Sequence, residues 1–590
     1  MKKHVLILGG GIAGMSAAHE LIERDFEVTV LEKRNDYPGG KARSIDVPDS
    51  ADNGRRPLPG EHGFRFFPGF YQHIIDTMER TPFTASKSVA DNLVSAPTMM
   101  LTRFDKPPIQ SPNGFPKSLK EVKLLLDAIF NADTGLNQKE IDNILLCIWQ
   151  LITSCKRRRE EEYENIGWAE FTRAKDFSPN YRMMFVEGLT RTLVAAKANT
   201  ANTRTNGGIL LQMLFSFTKP HEIADRILNG PTNEAWLLPW LNYLKEQGVN
   251  YKFDHEVVTM SCEDNRIKSV VASSPVGNTV FEADYILCAL PVERAAKLFV
   301  SSKGVFDLDG SLKNTLILKD HVAWMNGIQF FLKEDVTINT GHIIFLSTPW
   351  ALTAISQAQF WDDLDFSETF GDGKANGVLS VDVSDWDNLG LMHQLPAKEC
   401  TYGQVIEETW HQLKESLNRE GKTILSDDNL HSVFVDDSII FAETFFKKEG
   451  YKSVSKMNEK AKYGSSSVKS NEEPLLVNHV NSWPLRNQSF TKISNLFLAS
   501  DYVKSNTNLA TMEGANEAAR RAVNNIIDRS GSKNDHCKIW EFKEPIWTLY
   551  YKWLDERRYL KGLPWKRHKW KWYALPLGYI LWFLGERKRL

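Results

Sequence analysis

The sequence predicts an α/β fold with three parts. These are a discontinuous parallel-sheet domain of the Rossmann type, a mixed α+β domain inserted into it, and a basic, aromatic C-terminal tail. Three observations predict this. An apolar strand at the N-terminus runs through a glycine turn into a helix. Two further α/β segments recur far along the chain, separated by long intervals. From residue 536 onward the composition changes abruptly toward tryptophan, tyrosine and cations.

The chain of 590 residues is too long for a single hydrophobic core, so more than one domain is expected. A formal net charge of −2 gives no global attraction to nucleic acid, which is not an expected partner. Cys147, Cys155, Cys262, Cys288, Cys400 and Cys537 show neither a CxxC pair nor zinc spacing. Buried free thiols and no metal site are the expectation. The opening MKKHVLILGGGIAG has an apolar run too short for a signal peptide, and no small-residue cleavage pattern follows it. No run reaches the ~18 apolar residues that cross a bilayer. A cytoplasmic, peripherally membrane-associated protein is expected.

The first segment is VLILGGGIAG, an apolar strand followed by Gly9-x-Gly11-x-x-Gly14. A helix follows, and then the strand-like EVTVLEKR carrying Glu32 at its end. Gly9 makes the tight turn and Gly11 lets the backbone approach a pyrophosphate. Gly14 lets helix and strand pack closely, and the helix N-terminus faces the phosphates. Glu32 stands where a carboxylate accepts both ribose hydroxyls of an adenosine. Together these specify dinucleotide binding. A second glycine pair, Gly39-Gly40, then leads to Lys41 and Arg43, as suits a diphosphate reached from the other side.

At this point the chain resembles the flavoprotein superfamily of amine oxidases and phytoene desaturases, in which GG(K/R)xxS follows the ribose acid. The resemblance implies FAD as cofactor, with Gly40, Lys41 and Arg43 among its contacts. The segment NLFLASDYVKSNTNLATMEGA extends it. Asp501 matches the family's ribityl-binding acid, and Met512, Glu513, Gly514 and Ala515 match its flavin-facing helix start. A helix N-terminus there stabilises the negative charge of reduced flavin. Ser500 replaces the usual glycine, and a modest backbone adjustment is expected. Val257, at the start of a mid-chain strand and hairpin, matches the valine whose main chain meets the adenine.

The stretch GEHGFRFFPGFY (60–71) resembles the segment that carotenoid desaturases of plant and cyanobacterial type lay beside the isoalloxazine. Glu61, Gly63, Gly69 and Tyr71 match, so Gly63 is placed against the flavin. His62 and Arg65 depart from the pattern. Arg65 stays protonated and cannot act as a base; it could bind an anion, or pair structurally with Glu61 or another acid. Arg65 and Glu61 are the candidate catalytic residues.

The expected boundaries are 1–80, 230–300 and 480–530 for the FAD domain, 81–229 and 301–479 for the substrate domain, and 536–590 for the tail. Helical spacing marks SLKEVKLLLDAIFNA and IDNILLCIWQLITSC, while 320–445 mixes strand-like runs with the helix VIEETWHQLKESL. CKRRREEEYE (155–164) reads as a solvated helix face, and 46–60 and 458–473 read as polar loops. The tail holds 13 Lys/Arg against 5 Asp/Glu and seven of the 17 tryptophans, an interfacial composition suited to an anionic membrane surface. The other reading of the tail is a cap packed on the FAD domain or a dimer interface.

Neither a nucleophile–base pair nor a nicotinamide fingerprint is present in the sequence. By resemblance the expected reaction is FAD-dependent removal of hydride from a long hydrophobic isoprenoid or acyl lipid to form a C=C bond. Quinone or oxygen would accept the electrons. A flavin amine oxidase, a flavin-dependent isomerase or dehydroxylase of an apolar lipid, and a non-enzymatic prenyl-binding relative are the alternatives.

Overall fold

The computed structural model describes residues 2–104, 106–113, 128, 132–217, 225–419, 421–441 and 467–584. Its first sheet is wholly parallel, in the order Leu496–Leu498, Tyr285–Cys288, His4–Leu8, Glu27–Leu31, Asn250–Lys252. Strands paired in this way must be covered on both faces, and the sequence meets that demand by alternation. Val5 and Ile7 pack among the helices Ile12–Ile22 and Met512–Ser530. Leu6 and Leu8 face the opposite layer, built by the antiparallel strands Glu256–Glu263, Arg266–Ser274 and Gly277–Phe281 with the helix Val292–Ser301. All five strands lie inside the segments 1–80, 230–300 and 480–530.

The second sheet has seven strands, in the order Leu430–Val435, Asn326–Leu332, Gly377–Val383, Leu352–Ser356, Gly341–Phe345, Thr98–Arg103, Lys106–Pro112. Only the Gly341–Phe345 and Thr98–Arg103 pair is parallel. One face buries Ile328, Phe330, Leu379, Val381 and Ile343 against Val405, Trp410 and Leu413 of the helix Tyr402–Leu417. Thr401 and Gln404 start that helix with a capping box. The residues between, His342, Ile344, Thr353 and Asp382, point the other way, into the cavity described below.

Two polar segments differ from their sequence reading. The block 155–164 is not a solvated face. Arg158 is 1% exposed, with Nε 2.9 Å from Asp555, and Arg159 pairs with Glu544 at 2.7 Å. Acids of the tail neutralise these cations, so the block is where the tail docks. Of 458–473, residues 458–466 lie outside the described residues, while Val468–Asn471 is a strand paired with Ile439–Phe441 rather than loop. The helix expected at 118–132 also falls almost wholly outside the described residues.

The tail itself divides in two. The helix Thr548–Tyr559 packs on the helix Gln138–Thr153, with the Trp547 and Trp149 rings stacked 5.9 Å apart. The helix Ala574–Phe583 buries fully only its small residues, Ala574 and Gly578, with Leu577 and Leu581 half-buried beside them. A Cβ on Gly578 would stand 2.3 Å from the Ile546 carbonyl oxygen. Most of its large apolar side chains are left outside, with Phe583 84% and Trp572, just before the helix, 79% exposed.

Candidate functional site

A cavity of about 1000 Å³ runs from the glycine turns of the first sheet to the polar-and-apolar face of the second. At its first end the two glycine motifs meet backbone to backbone. Gly39 N–H donates to the Gly10 carbonyl (3.0 Å), and a Cβ on Gly40 would stand 3.2 Å from the Gly11 Cα. Gly14 does not line the cavity; a Cβ there would lie 2.0 Å from the Gly9 carbonyl oxygen, so its role is the close seating of helix on strand. Gly9 and Gly11 do line it, and no side chain caps the helix that Gly11 opens. The first-turn amides therefore remain free for a phosphate.

Glu32 closes this end. Its carboxylate accepts from the amides of Gly10 (2.8 Å) and Arg34 (2.9 Å) while lining the cavity. Burial raises its pKa above the ordinary carboxylate value, against the pull of those amides. Val257 lines the same end. Glycine backbone on two sides, an uncapped helix N-terminus and a carboxylate on the cavity wall together fit the adenosine diphosphate half of FAD.

The cations behave differently from their sequence reading. Lys41 lines the cavity, 3.4 Å from Glu293, and donates to the Pro474 carbonyl. Arg43 does not. It is buried and gripped by Glu473 and Asp437, each at 2.5 Å, and the same acids hold Arg34 at 3.2 and 3.4 Å. Burial raises Glu473, but Arg43, His62 and Arg34 outweigh it and bring the carboxyl down to about 2. Arg43 thus ties two strand ends to the glycine turn rather than facing a ligand.

At the cavity's middle Asp501 lines the wall, its carbonyl held by Arg486 at 2.5 Å. Ser500 carries φ +154°, a backbone that glycine would favour, so the chain has not adjusted to the substitution. Met512 and Ala515 line the wall at the start of the helix capped by Thr511, which accepts from the Gly514 amide at 3.1 Å. Glu513 and Gly514 do not reach it. The Glu513 carboxylate accepts from the amides of Gln72, His73 and Ile74 (2.9–3.0 Å) and lies 2.7 Å from His73 Nδ1, capping the helix His73–Arg80. Gly514 would clash through a Cβ with the Leu509 carbonyl oxygen at 2.6 Å.

The strip 60–71 lies along the cavity: Gly63, Phe64, Arg65, Phe66, Phe70 and Tyr71 all line it. Glu61 does not. It is 1% exposed and accepts from the Thr232 amide (3.0 Å) and hydroxyl (2.9 Å). Burial lifts it to about 7, against the nearby Arg65 and the Thr232 hydrogen bonds. That is a structural tie, so the expected catalytic pair is reduced to Arg65. The Arg65 guanidinium donates to the Gly63 carbonyl and forms no ion pair within 4.0 Å among the described residues.

Several lining residues had no signal in the sequence. Asp382, Thr353, His342 and Ile344 come from the second sheet, Met99 from its parallel strand, and Ile209 and Met213 from the helix Thr203–Phe217. Alternation within those strands was legible, but not which face would meet a cavity. The described residues hold no cluster of three or more metal-ligating side chains.

A family model for flavin-containing amine oxidoreductases matches residues 12–527. The carotenoid phi-ring synthase of Chlorobaculum tepidum is 22% identical over 276 residues, 45% of this chain and 39% of that relative's length. Among solved structures, cyclohexylamine oxidase from Brevibacterium oxydans superposes with a TM-score of 0.54 at 11% identity, over 90% of this chain and 100% of that one. Putrescine oxidase bound to putrescine does so with a TM-score of 0.53 at 12% identity, over 90% and 99%. At that identity these likenesses speak for the fold.

Proposed function

This chain belongs to the flavin-containing amine oxidoreductases, an FAD-dependent oxidoreductase family, and from that premise we propose that it dehydrogenates a long hydrophobic isoprenoid or acyl lipid. The observation that carries this reading is the cavity beyond Gly63, whose walls include the apolar side chains of Phe64, Phe66, Phe70, Met99, Ile209 and Met213.

FAD, when bound, supplies the two-electron acceptor for a hydrogen leaving a substrate C–H bond with its electron pair. The hydride and the proton lost from the two adjacent carbons would together balance the two-electron reduction of the flavin, leaving a C=C bond in the substrate. The chain's own contribution is placement: Phe and Met side chains exclude water and fix the substrate's approach, which is worth several kcal/mol when the reacting atoms are held in contact. Quinone or oxygen takes up the electrons afterwards.

The same reading assigns the helix Ala574–Phe583 to a membrane surface. Exposed Trp572, Ile580, Phe583 and Leu584 stand beside Lys566, Arg567, Lys569 and Lys571, apolar anchors with cations for anionic headgroups. No helix among the described residues is long and apolar enough to cross a membrane.

The test is anaerobic incubation of the purified flavoprotein with isoprenoid or acyl lipids in mixed micelles, and separately with mono- and polyamines. Bleaching of the oxidised flavin band by a lipid, with an unsaturated product by mass spectrometry, is the expected result. Bleaching by amines alone would replace this reading with amine oxidation.

A further inference from the structure

One wall of the cavity carries a row of polar side chains that the proposed dehydrogenation does not use. Asp382, Thr353 and Ile344 are direct register partners on three adjacent strands, and His342 stands two residues before Ile344 on the same face. Asp382, Thr353 and His342 all line the cavity, yet they are only 6%, 1% and 7% exposed. Asp382 Oδ1, Thr353 Oγ1 and His342 Nε2 have no hydrogen-bond partner among the described residues, and neither does Arg65 Nε on the facing strip. The Phe64 and Phe66 rings clasp the His342 imidazole, at centroid distances of 5.3 and 5.0 Å. The row reaches the strip itself, since a Cβ on Gly63 would stand 2.6 Å from Asp382 Oδ1.

An unpaired buried polar atom costs about 1–3 kcal/mol, and native folds hold few of them. Four facing one cavity are hard to explain if its occupant is pure hydrocarbon, because a hydrocarbon leaves every one of them unpaired. A substrate oxygen would pair with them. The charge inventory decides which kind of oxygen. Burial holds His342 neutral, down to about 4, and raises the Asp382 carboxyl to about 7 against the pull of Arg65 and His62. Arg65 already faces Glu61, Asp382 and Asp436, so a carboxylate arriving here would meet acids as well as a cation.

We infer that Asp382, Thr353 and His342, with Arg65 opposite, form a subsite for a hydroxyl or carbonyl oxygen on an otherwise apolar substrate. This rests on the hydrophobic-substrate reading above. It makes the substrate class an oxygenated lipid, with the row acting as a specificity determinant rather than as a site of bond making.

The experiment uses the flavin-loaded protein in mixed micelles and reads quenching of flavin fluorescence by three probes of one carbon skeleton: phytane, dihydrophytol and phytanic acid. At equal mole fraction in the micelle, dihydrophytol should bind at least tenfold more tightly than phytane. Thr353→Val should remove most of that difference while leaving phytane binding and flavin content unchanged. If that variant loses flavin, His342→Phe carries the same expectation. Equal binding of phytane and dihydrophytol by the wild type overturns the subsite and leaves the hydrophobic-substrate reading standing. Strongest binding by phytanic acid overturns the neutral-oxygen assignment. No quenching by any of the three overturns the hydrophobic-substrate reading itself.

Discussion

Arg43 and Glu473 meet in a buried ion pair, Nη1 to Oε2 at 2.5 Å, across 430 positions of sequence. The pair clamps the strand after Val468 onto the second glycine turn, and so holds one side of the cofactor cleft. Removing Glu473 leaves Arg43 with Asp437 alone, which should cost part of the ~3–5 kcal/mol that a fully broken buried pair costs.

The pair also sets an acid limit. The Glu473 carboxyl sits at about 2 in the fold against an ordinary 4.5, so its contribution is full above 4.5 and is lost as pH falls toward 2. The shift corresponds to about 3 kcal/mol. Glu473→Gln should therefore be less stable than wild type at neutral pH, with the gap narrowing below pH 4.5 and closing only toward pH 2, as read by urea midpoints. A constant gap between the two proteins across that range would show that the pair does not titrate as stated.

Glu32 satisfies two backbone amides and faces the cavity, so its removal acts on both the turn and the ligand. Glu32→Ala should lose about 1.5–3 kcal/mol of charged hydrogen bonding, weakening FAD retention about ten- to a hundredfold. The flavin-to-protein absorbance ratio after dialysis measures it. Unchanged occupancy would remove Glu32 from the cofactor site.

What could be read from the sequence followed from how local the determinants are. Gly9, Gly11, Gly14 and Glu32 lie within one strand–helix–strand unit, so their spacing alone carries their geometry. The role of Glu61 could not be read, because its partner Thr232 lies 171 residues away and comes to it only through folding. The block at 155–164 was misjudged for the same reason, since Asp555 and Glu544 neutralise it from the tail. Asp382, Thr353 and His342 carry no motif, and only strand register brings them into one row. Glu513 sits inside a recognised motif, yet its carboxylate turns away to cap a neighbouring helix.

Glu61 gives the opposite pH signature from Glu473. Its carboxyl rises from 4.5 to about 7 because it is buried. The fold therefore binds the proton more tightly than the unfolded chain, and stability falls by about 3 kcal/mol as pH rises from 4.5 through 7. Glu61→Gln keeps an acceptor for Thr232 and removes that titration. Relative to wild type it should gain thermal stability above pH 7 and lose none of its flavin. A loss of turnover with no change in the stability profile would instead return Glu61 to the reacting centre.

The two halves of the tail should separate experimentally. The helix Thr548–Tyr559 supplies Asp555 to buried Arg158 and the segment before it supplies Glu544 to Arg159, so removing residues 536–590 leaves Arg158 with Glu162 alone and takes both of those pairs away, which should cost about 3–5 kcal/mol. The helix Ala574–Phe583 buries fully only Ala574 and Gly578, with its Trp, Ile and Phe side chains outside. Deleting 574–590 should therefore leave flavin content and melting temperature near wild type while abolishing sedimentation with phosphatidylglycerol vesicles. Raised salt should weaken the sedimentation of the intact chain, because the cations at 566–571 are exposed or half-exposed and screened within about a Debye length. A 574–590 deletion that still pellets with vesicles would place the membrane contact elsewhere on the molecule.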